Sequence, residues 1–381
     1  MAKHKKRIHT LGILAAIMIA AGWVNFCMGA DPQTPDAAAA ALLDTANRTF
    51  NQQKYDEAAD RFREFLKLYP SNLNVACANY GLSLALVESP RRDYSNAITP
   101  LLAVTQTNFT DRATALYYLG LARRGLGEAI LAQAATRPPA EADPLRAAAN
   151  QRFAEAAGSF ADAAVAFGVQ TTTNQDWAAR ARGDATDTLL RLARWKEAAE
   201  AAETFLNDPA FGTGPYRERA VYHLGYARFG LKQYIAAGRA LSQLAPFQQE
   251  FGVHTRYLLG RVHHLADERA EAAIQYRAAL SDYERRKKAA QQTMQNPGAL
   301  TPEKRSACEA LLRDPAPDYL SRAVFYLALI ACESDRFGEA LDGFTKIADQ
   351  DAPARSYVPR CRDLVKNPPA QWDGVWELTE K

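Results

Sequence analysis

The side chains best suited to acid–base or metal chemistry are four histidines: His223, His254, His263 and His264. A metal site needs several ligands that converge on one point, each oriented by a further hydrogen bond. His263 and His264 are adjacent and therefore point to different faces of a helix, while His254 lies on another turn. No carboxylate pair is spaced to orient them. The pattern favours histidines that line a groove or a core edge, and it predicts no metal and no cofactor.

Recognisable catalytic motifs are missing from the sequence. It contains no phosphate-binding glycine loop, no Gly-x-Ser-x-Gly, no HExxH and no calcium-binding loop. Its lone serines and Asp-Glu pairs fall on amphipathic segments, where charged side chains normally face solvent. We therefore expect a protein that is not an enzyme. The alternative is an enzyme whose site lies in an inserted segment at 285–317.

The first thirty residues have the order of a secretory signal peptide. A basic segment, Met1–His9, precedes an apolar stretch at Leu11–Val24, and small residues follow at Gly29 and Ala30. The apolar stretch is shorter than the roughly 18–20 residues that span a bilayer as a helix. We expect a periplasmic or secreted protein with a signal peptide at 1–30 and a linker at 31–36. An uncleaved leader, which would anchor the chain through residues 11–24, is the alternative.

The charge balance argues against a nucleic-acid partner. The chain has 46 basic and 43 acidic residues, and four of the basic residues but none of the acids lie in the leader. The remaining chain has 42 bases against 43 acids, a net charge of −1. A nucleic-acid-binding domain carries an excess of Lys and Arg on its folded part. We therefore expect no nucleic acid, and contact with a membrane only if the leader is uncleaved.

If the chain is exported, the cysteines of the mature chain can form disulfides. Cys77, Cys308, Cys332 and Cys361 remain after the leader, and four cysteines allow three pairings. Oxidising compartments permit disulfides. However, Cys77 and Cys332 lie in apolar helical contexts, where a free cysteine behaves as a small core residue. The sequence leaves the pairing open.

One short pattern recurs along the chain: an aromatic residue, two residues that are often acidic or small, and then alanine. An apolar or aromatic residue follows four positions after each alanine, on the same face of a helix. The intervals between these alanines vary from 35 to 68 residues, which indicates insertions. The marker alanines are Ala58, Ala97, Ala156, Ala198, Ala237, Ala272 and Ala340.

A second pattern, Leu-Gly or Leu-Ala, lies twelve residues before the marker alanine in the better copies. It occurs at Leu224-Gly225, Leu259-Gly260 and Leu327-Ala328, and Leu119-Gly120 is a further example. Glycine or alanine at both places allows two antiparallel helices to approach closely, with an aromatic side chain filling the gap. The pattern predicts helix pairs.

Together these two patterns resemble the tetratricopeptide repeat (TPR) family, including exported, periplasmic TPR proteins. The resemblance implies an all-α fold: a right-handed α-solenoid of about seven irregular pairs of stacked antiparallel helices over 37–366. Insertions at 128–150 and 285–317 contain proline and glycine, which favour loops between extra helical segments. Residues 303–313 could form a degenerate helix, 360–366 a capping helix and 367–381 an extended tail. The early tryptophan of the family is missing.

The resemblance also implies a role and a site. In this family the first helix of each unit lines a concave groove that binds protein or peptide partners, and tyrosine and arginine are favoured at such interfaces. We expect an extracytoplasmic scaffold, for example in cell-envelope assembly. The alternative is a substrate-binding or chaperone module of a membrane-anchored secretion or polysaccharide system. Carried over by position, the groove residues are Asn79, Tyr118, Arg219, His223, Tyr226, His254, Arg261, Arg322 and Tyr326.

The leader gives the first testable prediction. If residues 1–30 are removed on export, N-terminal sequencing of the protein made in a bacterium should begin near Asp31. The product should be recovered in the soluble envelope fraction. A full-length chain that stays in the membrane pellet after a carbonate wash would show that the leader is an anchor.

Overall fold

A computed structural model describes residues 35–168, 171–296, 298 and 300–368. The leader, most of the linker and most of the C-terminal tail lie outside the described residues, so the predictions made for them stay predictions. The described residues form helices and contain no strand. The helices are α1 (Pro35–Asn51), α2 (Tyr55–Leu68), α3 (Val75–Glu88), α4 (Tyr94–Thr105), α5 (Arg112–Ala134), α6 (Pro139–Phe167), α7 (Thr172–Arg191), α8 (Trp195–Asn207), α9 (Arg217–Gly230), α10 (Tyr234–Ser242), α11 (Gly252–Leu265), α12 (Arg269–Thr293), α13 (Pro302–Arg313), α14 (Asp318–Cys332), α15 (Phe337–Ile347) and α16 (Ala352–Lys366).

The helices fall into two compact units that meet in the sequence at Ala227 and Arg228. In the first unit each helix from α1 to α7 packs against the next along the chain. In the second unit α10 packs on α11, α11 on α12, α12 on α13 and α14, α14 on α15, and α15 on α16. Short turns between packed neighbours make them antiparallel. The predicted fold class, all-α with stacked helix pairs, is confirmed, while the count of seven pairs stays a prediction.

The same turn precedes most of the helices that carry a marker alanine. A non-glycine residue in the left-handed region, with φ between 49° and 61°, lies two positions before the first residue of each of these helices. In one copy the amide of Ala193 donates to the carbonyl of Leu190, and the amide of Arg194 donates to that of Leu189. Such bonds satisfy the last carbonyls of the preceding helix. The residues at the left-handed position are Gln53, Arg92, Ala193, Lys232, Asp267 and Asp335.

The marker residues lie where helices touch. All seven marker alanines are fully buried. A Cβ at Gly120 would lie 2.6 Å from the ring of Phe160, and one at Gly260 would lie 2.6 Å from the ring of Tyr276. Gly81 meets the ring of Phe62 even more closely. These aromatic rings belong to the residue four positions after a marker alanine, so the two sequence patterns meet in space.

The two predicted insertions lengthen helices more than they form loops. At 128–150 the chain is helical except for residues 135–138. Helices α5 and α6, which are 23 and 29 residues long, both extend into this segment. At 285–317 the first residues extend α12, and α13 covers the predicted degenerate helix. The capping helix α16 begins at Ala352, earlier than the predicted Arg360, and includes Pro359.

Two substitutions in α15 test whether the marker alanine is a close contact. Ala340 is fully buried, so Ala340→Leu should overpack the contact and lower the free energy of unfolding by about 1–3 kcal/mol. Gly338 lies on the exposed face of the same helix, and a Cβ there would meet nothing within 4 Å. Gly338→Ala should therefore raise stability, by up to about 1 kcal/mol. Urea melts of both variants check this, and equal stabilities would show that the repeat register is wrong.

Candidate functional site

An open groove of about 430 Å³ lies in the first unit, lined by α2, α3 and α4. Helix α3 contributes Asn79, Leu82 and Leu86, which follow one another at the three- and four-residue spacing of one helix face. Helix α4 contributes the corresponding face opposite them, and α2 contributes one cation. The residues of α2 and α4 that line it are Arg63, Asn96, Thr99, Pro100 and Ala103.

The groove has an apolar floor and a polar rim. Leu82 and Leu86 are buried, whereas Asn96 and Thr99 are exposed. The side-chain amide of Asn79 is half-buried and has no hydrogen-bond partner among the described residues. An amide offers both donors and an acceptor, which is what an extended peptide backbone requires of a partner. The groove can therefore hold an apolar side chain on its floor and bind the main chain at its rim.

Pro100 adds a backbone acceptor to this surface. It lies in the interior of α4 and has no N–H, so it cannot donate to the carbonyl of Asn96 as an ordinary residue would. Asn96 and Pro100 both line the groove. An interior proline costs a helix about 3 kcal/mol. The carbonyl of Asn96 therefore lacks its usual helical donor.

Arg63 supplies the only charge among the groove-lining residues that the structure describes. It donates to Asp60 at 2.8 Å, but both side chains are largely exposed. An exposed pair of this kind contributes about 0–1 kcal/mol, so a bound carboxylate can replace Asp60 at small cost.

A buried ionic cluster joins α5, α7 and α9 in the same unit. Asp184, with 1% of its side chain exposed, accepts hydrogen bonds from Tyr117 at 2.7 Å, Arg219 at 2.8 Å and Arg124 at 3.2 Å. Burial alone would raise the pKa of Asp184, but Arg219 and Arg124 outweigh it and hold the pKa well below the ordinary value. The carboxylate is therefore ionised and fully paired.

Further ion pairs on the same helices complete this cluster. Arg191 donates to Asp187 at 2.9 Å and to Glu128 of α5 at 3.2 Å. Three cations thus face three carboxylates, and removing one partner would leave a buried charge unpaired. The groups are enclosed and already bonded to one another, so the cluster fixes how α5, α7 and α9 pack and is not open to a ligand.

The predicted groove residues of the first unit do not lie together. Asn79 lines the open groove. Arg219 belongs to the ionic cluster, and His223 is fully buried beside it. Tyr118 is buried and donates to Glu88 at 3.2 Å. Tyr226 is half-buried against Trp195, with ring centroids 5.5 Å apart.

The predicted residues of the second unit are brought together around Tyr257. His254 is buried and stacks on Tyr257 with ring centroids 5.9 Å apart, and burial raises the pKa of Tyr257, which the charge of Arg322 acts to lower. The guanidinium of Arg261 lies 3.8 Å above the ring centre of Tyr326. Because these cations and rings already contact one another, a partner would have to compete with intramolecular contacts. Partner binding at all nine predicted positions stays a prediction.

The remaining histidines, His263 and His264, each have a carboxylate neighbour. His263 Nδ1 lies 2.6 Å from Glu268, and His264 Nε2 lies 4.0 Å from Glu333. Within the part of the chain that the structure describes, no three His, Cys, Asp or Glu side chains are grouped so that they could hold a metal ion. No described helix is both long and apolar enough to cross a bilayer.

Comparison of the sequence with protein-family models finds no match, and comparison with curated proteins finds none either. Among solved structures the chain is similar to the apo form of RapI, with 13% identity, 87% of this chain and 99% of that chain covered, and a TM-score of 0.37. It is also similar to the TPR domain of P58(IPK), with 13% identity, 88% and 100% coverage and a TM-score of 0.20. Yeast Tom70 gives 14% identity, 87% and 97% coverage and a TM-score of 0.17. The fold assignment rests on the helices, turns and buried alanines of this chain and not on these similarities.

The buried histidines give a prediction for stability against pH. Burial and Arg219 lower the pKa of His223 to about 3, and burial lowers the pKa of His254 to about 4. Between pH 6.5 and about 4 the unfolded chain therefore binds protons at these two positions that the folded chain does not. Stability should fall on acidification across this window, by about 1.4 kcal/mol per pH unit for each histidine.

A variant isolates one of the two contributions. His254→Gln should make the dependence of the melting temperature on pH less steep between pH 6.5 and 4, relative to wild type. Parallel slopes for wild type and His254→Gln would contradict the burial of a neutral His254.

Proposed function

We propose that the chain is an extracytoplasmic scaffold that binds an extended segment of a partner protein in the α3–α4 groove. The compartment follows from the predicted leader, and the partner would then be another protein of the cell envelope. The observation that carries the proposal is the groove itself, which combines an apolar floor at Leu82 and Leu86 with the free amide of Asn79.

The chemistry of the lining selects the kind of segment. An apolar side chain fits the floor, while the amide of Asn79 and the carbonyl of Asn96 can bond to a peptide main chain. Arg63 favours an acidic residue at one end. The bound segment is therefore an extended peptide that carries an apolar and an acidic side chain.

The same lining favours binding over catalysis. The described residues that line the groove include no carboxylate, histidine or thiol, so it offers neither a general base nor an activated nucleophile. Asp184 and His223, whose pKa values are both lowered strongly, are enclosed elsewhere in the unit. A protein that binds peptides needs a shaped surface and hydrogen-bonding groups, and the groove supplies both.

A selection and a pair of variants test the proposal. Peptides from a random displayed library are selected on the immobilised chain and then titrated in solution. Ala103 is exposed and lines the groove, so Ala103→Glu should add both bulk and a repelling charge and weaken binding at least tenfold. Ala147→Glu, at an exposed position on α6, is the matched control and should leave the affinity unchanged.

Both variants place a good helix former on an exposed helix surface, so their melting temperatures should match that of wild type closely. The selected peptides should be enriched in an acidic residue near an apolar one, and Arg63→Ala should reduce the salt dependence of their binding. Equal affinities for the Ala103→Glu and Ala147→Glu chains would rule out the groove as the binding surface.

A further inference from the structure

Two cysteines of the second unit lie against each other inside its core. Cys332 is the last residue of α14, and Cys361 lies in the middle of α16. Both side chains are fully buried, in one apolar cluster with Phe337, Phe344 and Ala354. The neighbouring thiol raises the pKa of Cys332 and lowers that of Cys361. They are 29 residues apart in the sequence, so the fold has brought them together.

The other two cysteines of the described chain lie outside this cluster. Cys77 belongs to α3 in the first unit, and Cys308 belongs to α13. Both are half-buried. Of the three pairings that four cysteines allow, the structure therefore singles out the one that joins Cys332 to Cys361.

We propose that Cys332 and Cys361 form a disulfide that ties the C-terminal helix α16 to α14. The co-reactant is a small or protein disulfide, such as oxidised glutathione or a dithiol oxidase of an oxidising compartment. The two thiols together lose two protons and two electrons, an S–S bond forms between them, and the S–S bond of the co-reactant is reduced to two thiols.

The exchange takes two steps, and both need the thiols to be accessible to the co-reactant. The thiolate of Cys361 attacks the co-reactant and forms a mixed disulfide. Cys332 then loses its proton and attacks the Cys361 sulfur, which releases the second thiol of the co-reactant.

Burial determines when the reaction can occur. An oxidant reaches neither sulfur while α16 is packed, since both side chains are fully enclosed. Helix α16 is the last described helix; it packs on α15, and its Tyr357 contacts Phe325 of α14 with ring centroids 5.8 Å apart. A terminal helix undocks more easily than an internal one. The bond therefore forms during folding or when α16 undocks, and it then holds the end of the unit closed.

Refolding under defined redox conditions tests the proposal independently of the groove. The full-length chain with Cys27→Ser is unfolded in urea with a reductant and refolded in a mixture of reduced and oxidised glutathione. Free thiols are then blocked with an alkylating agent, and peptides are mapped by mass spectrometry. We expect one disulfide, between Cys332 and Cys361, with Cys77 and Cys308 alkylated. Melting of the oxidised chain should occur about 5–10 °C above that of the reduced chain.

Cys332→Ala provides the control, because alanine is small enough for the site and removes one sulfur. In this variant Cys361 should be recovered alkylated, and oxidising conditions should leave the melting temperature unchanged. The matched variant Cys308→Ala should behave as the parent chain does. Recovery of Cys332 and Cys361 as free thiols after refolding in oxidised glutathione, or of either one paired with Cys77 or Cys308, would overturn the proposal.

Discussion

The structure depends on one repeated contact, in which a glycine or alanine of one helix meets an aromatic or apolar side chain of the next. At Gly120 and Gly260 the facing ring occupies the space in which a Cβ would lie. Interiors packed to this density do not accept an extra methylene without movement. The contact therefore fixes both the separation of the two helices and the register in which their faces meet, and each pair repeats this geometry along the chain.

The groove and the ionic cluster both follow from that spacing. Gly81 holds α3 against Phe62 of α2, so the opposite face of α3, with Asn79 and Leu82, is presented towards α4. Along α7, small residues leave room for long arginine side chains: Gly183 lies under the guanidinium of Arg219, which reaches Asp184. The close contact at Gly81 thus leaves an open binding surface on α3, and the small residue at Gly183 leaves room for a buried ion pair beside α7.

The sequence predicted the framework well and the sites only in part. The marker alanines and the Leu-Gly pattern were readable because close packing demands small residues at fixed spacing. By contrast, Asp184 and Glu128 resemble solvated charges, since their arginine partners on neighbouring helices lie 35 to 63 residues away along the chain. Pro100 is the signal that sequence reasoning missed, because an interior helix proline indicates a carbonyl without its donor. Arg219 and His223 were expected in a groove, and only their partners on neighbouring helices reveal that they are enclosed.

A double-mutant cycle on Gly81 and Phe62 tests the central contact most directly. Gly81→Ala introduces a methyl group against the ring, and Phe62→Leu removes the ring that opposes it. If the pair is the packing constraint, the double variant should be more stable than the sum of the single effects by about 0.5–3 kcal/mol in urea melts. Gly338→Ala combined with Phe62→Leu, at unrelated positions, should be additive. Additivity at Gly81 and Phe62 as well would contradict the account.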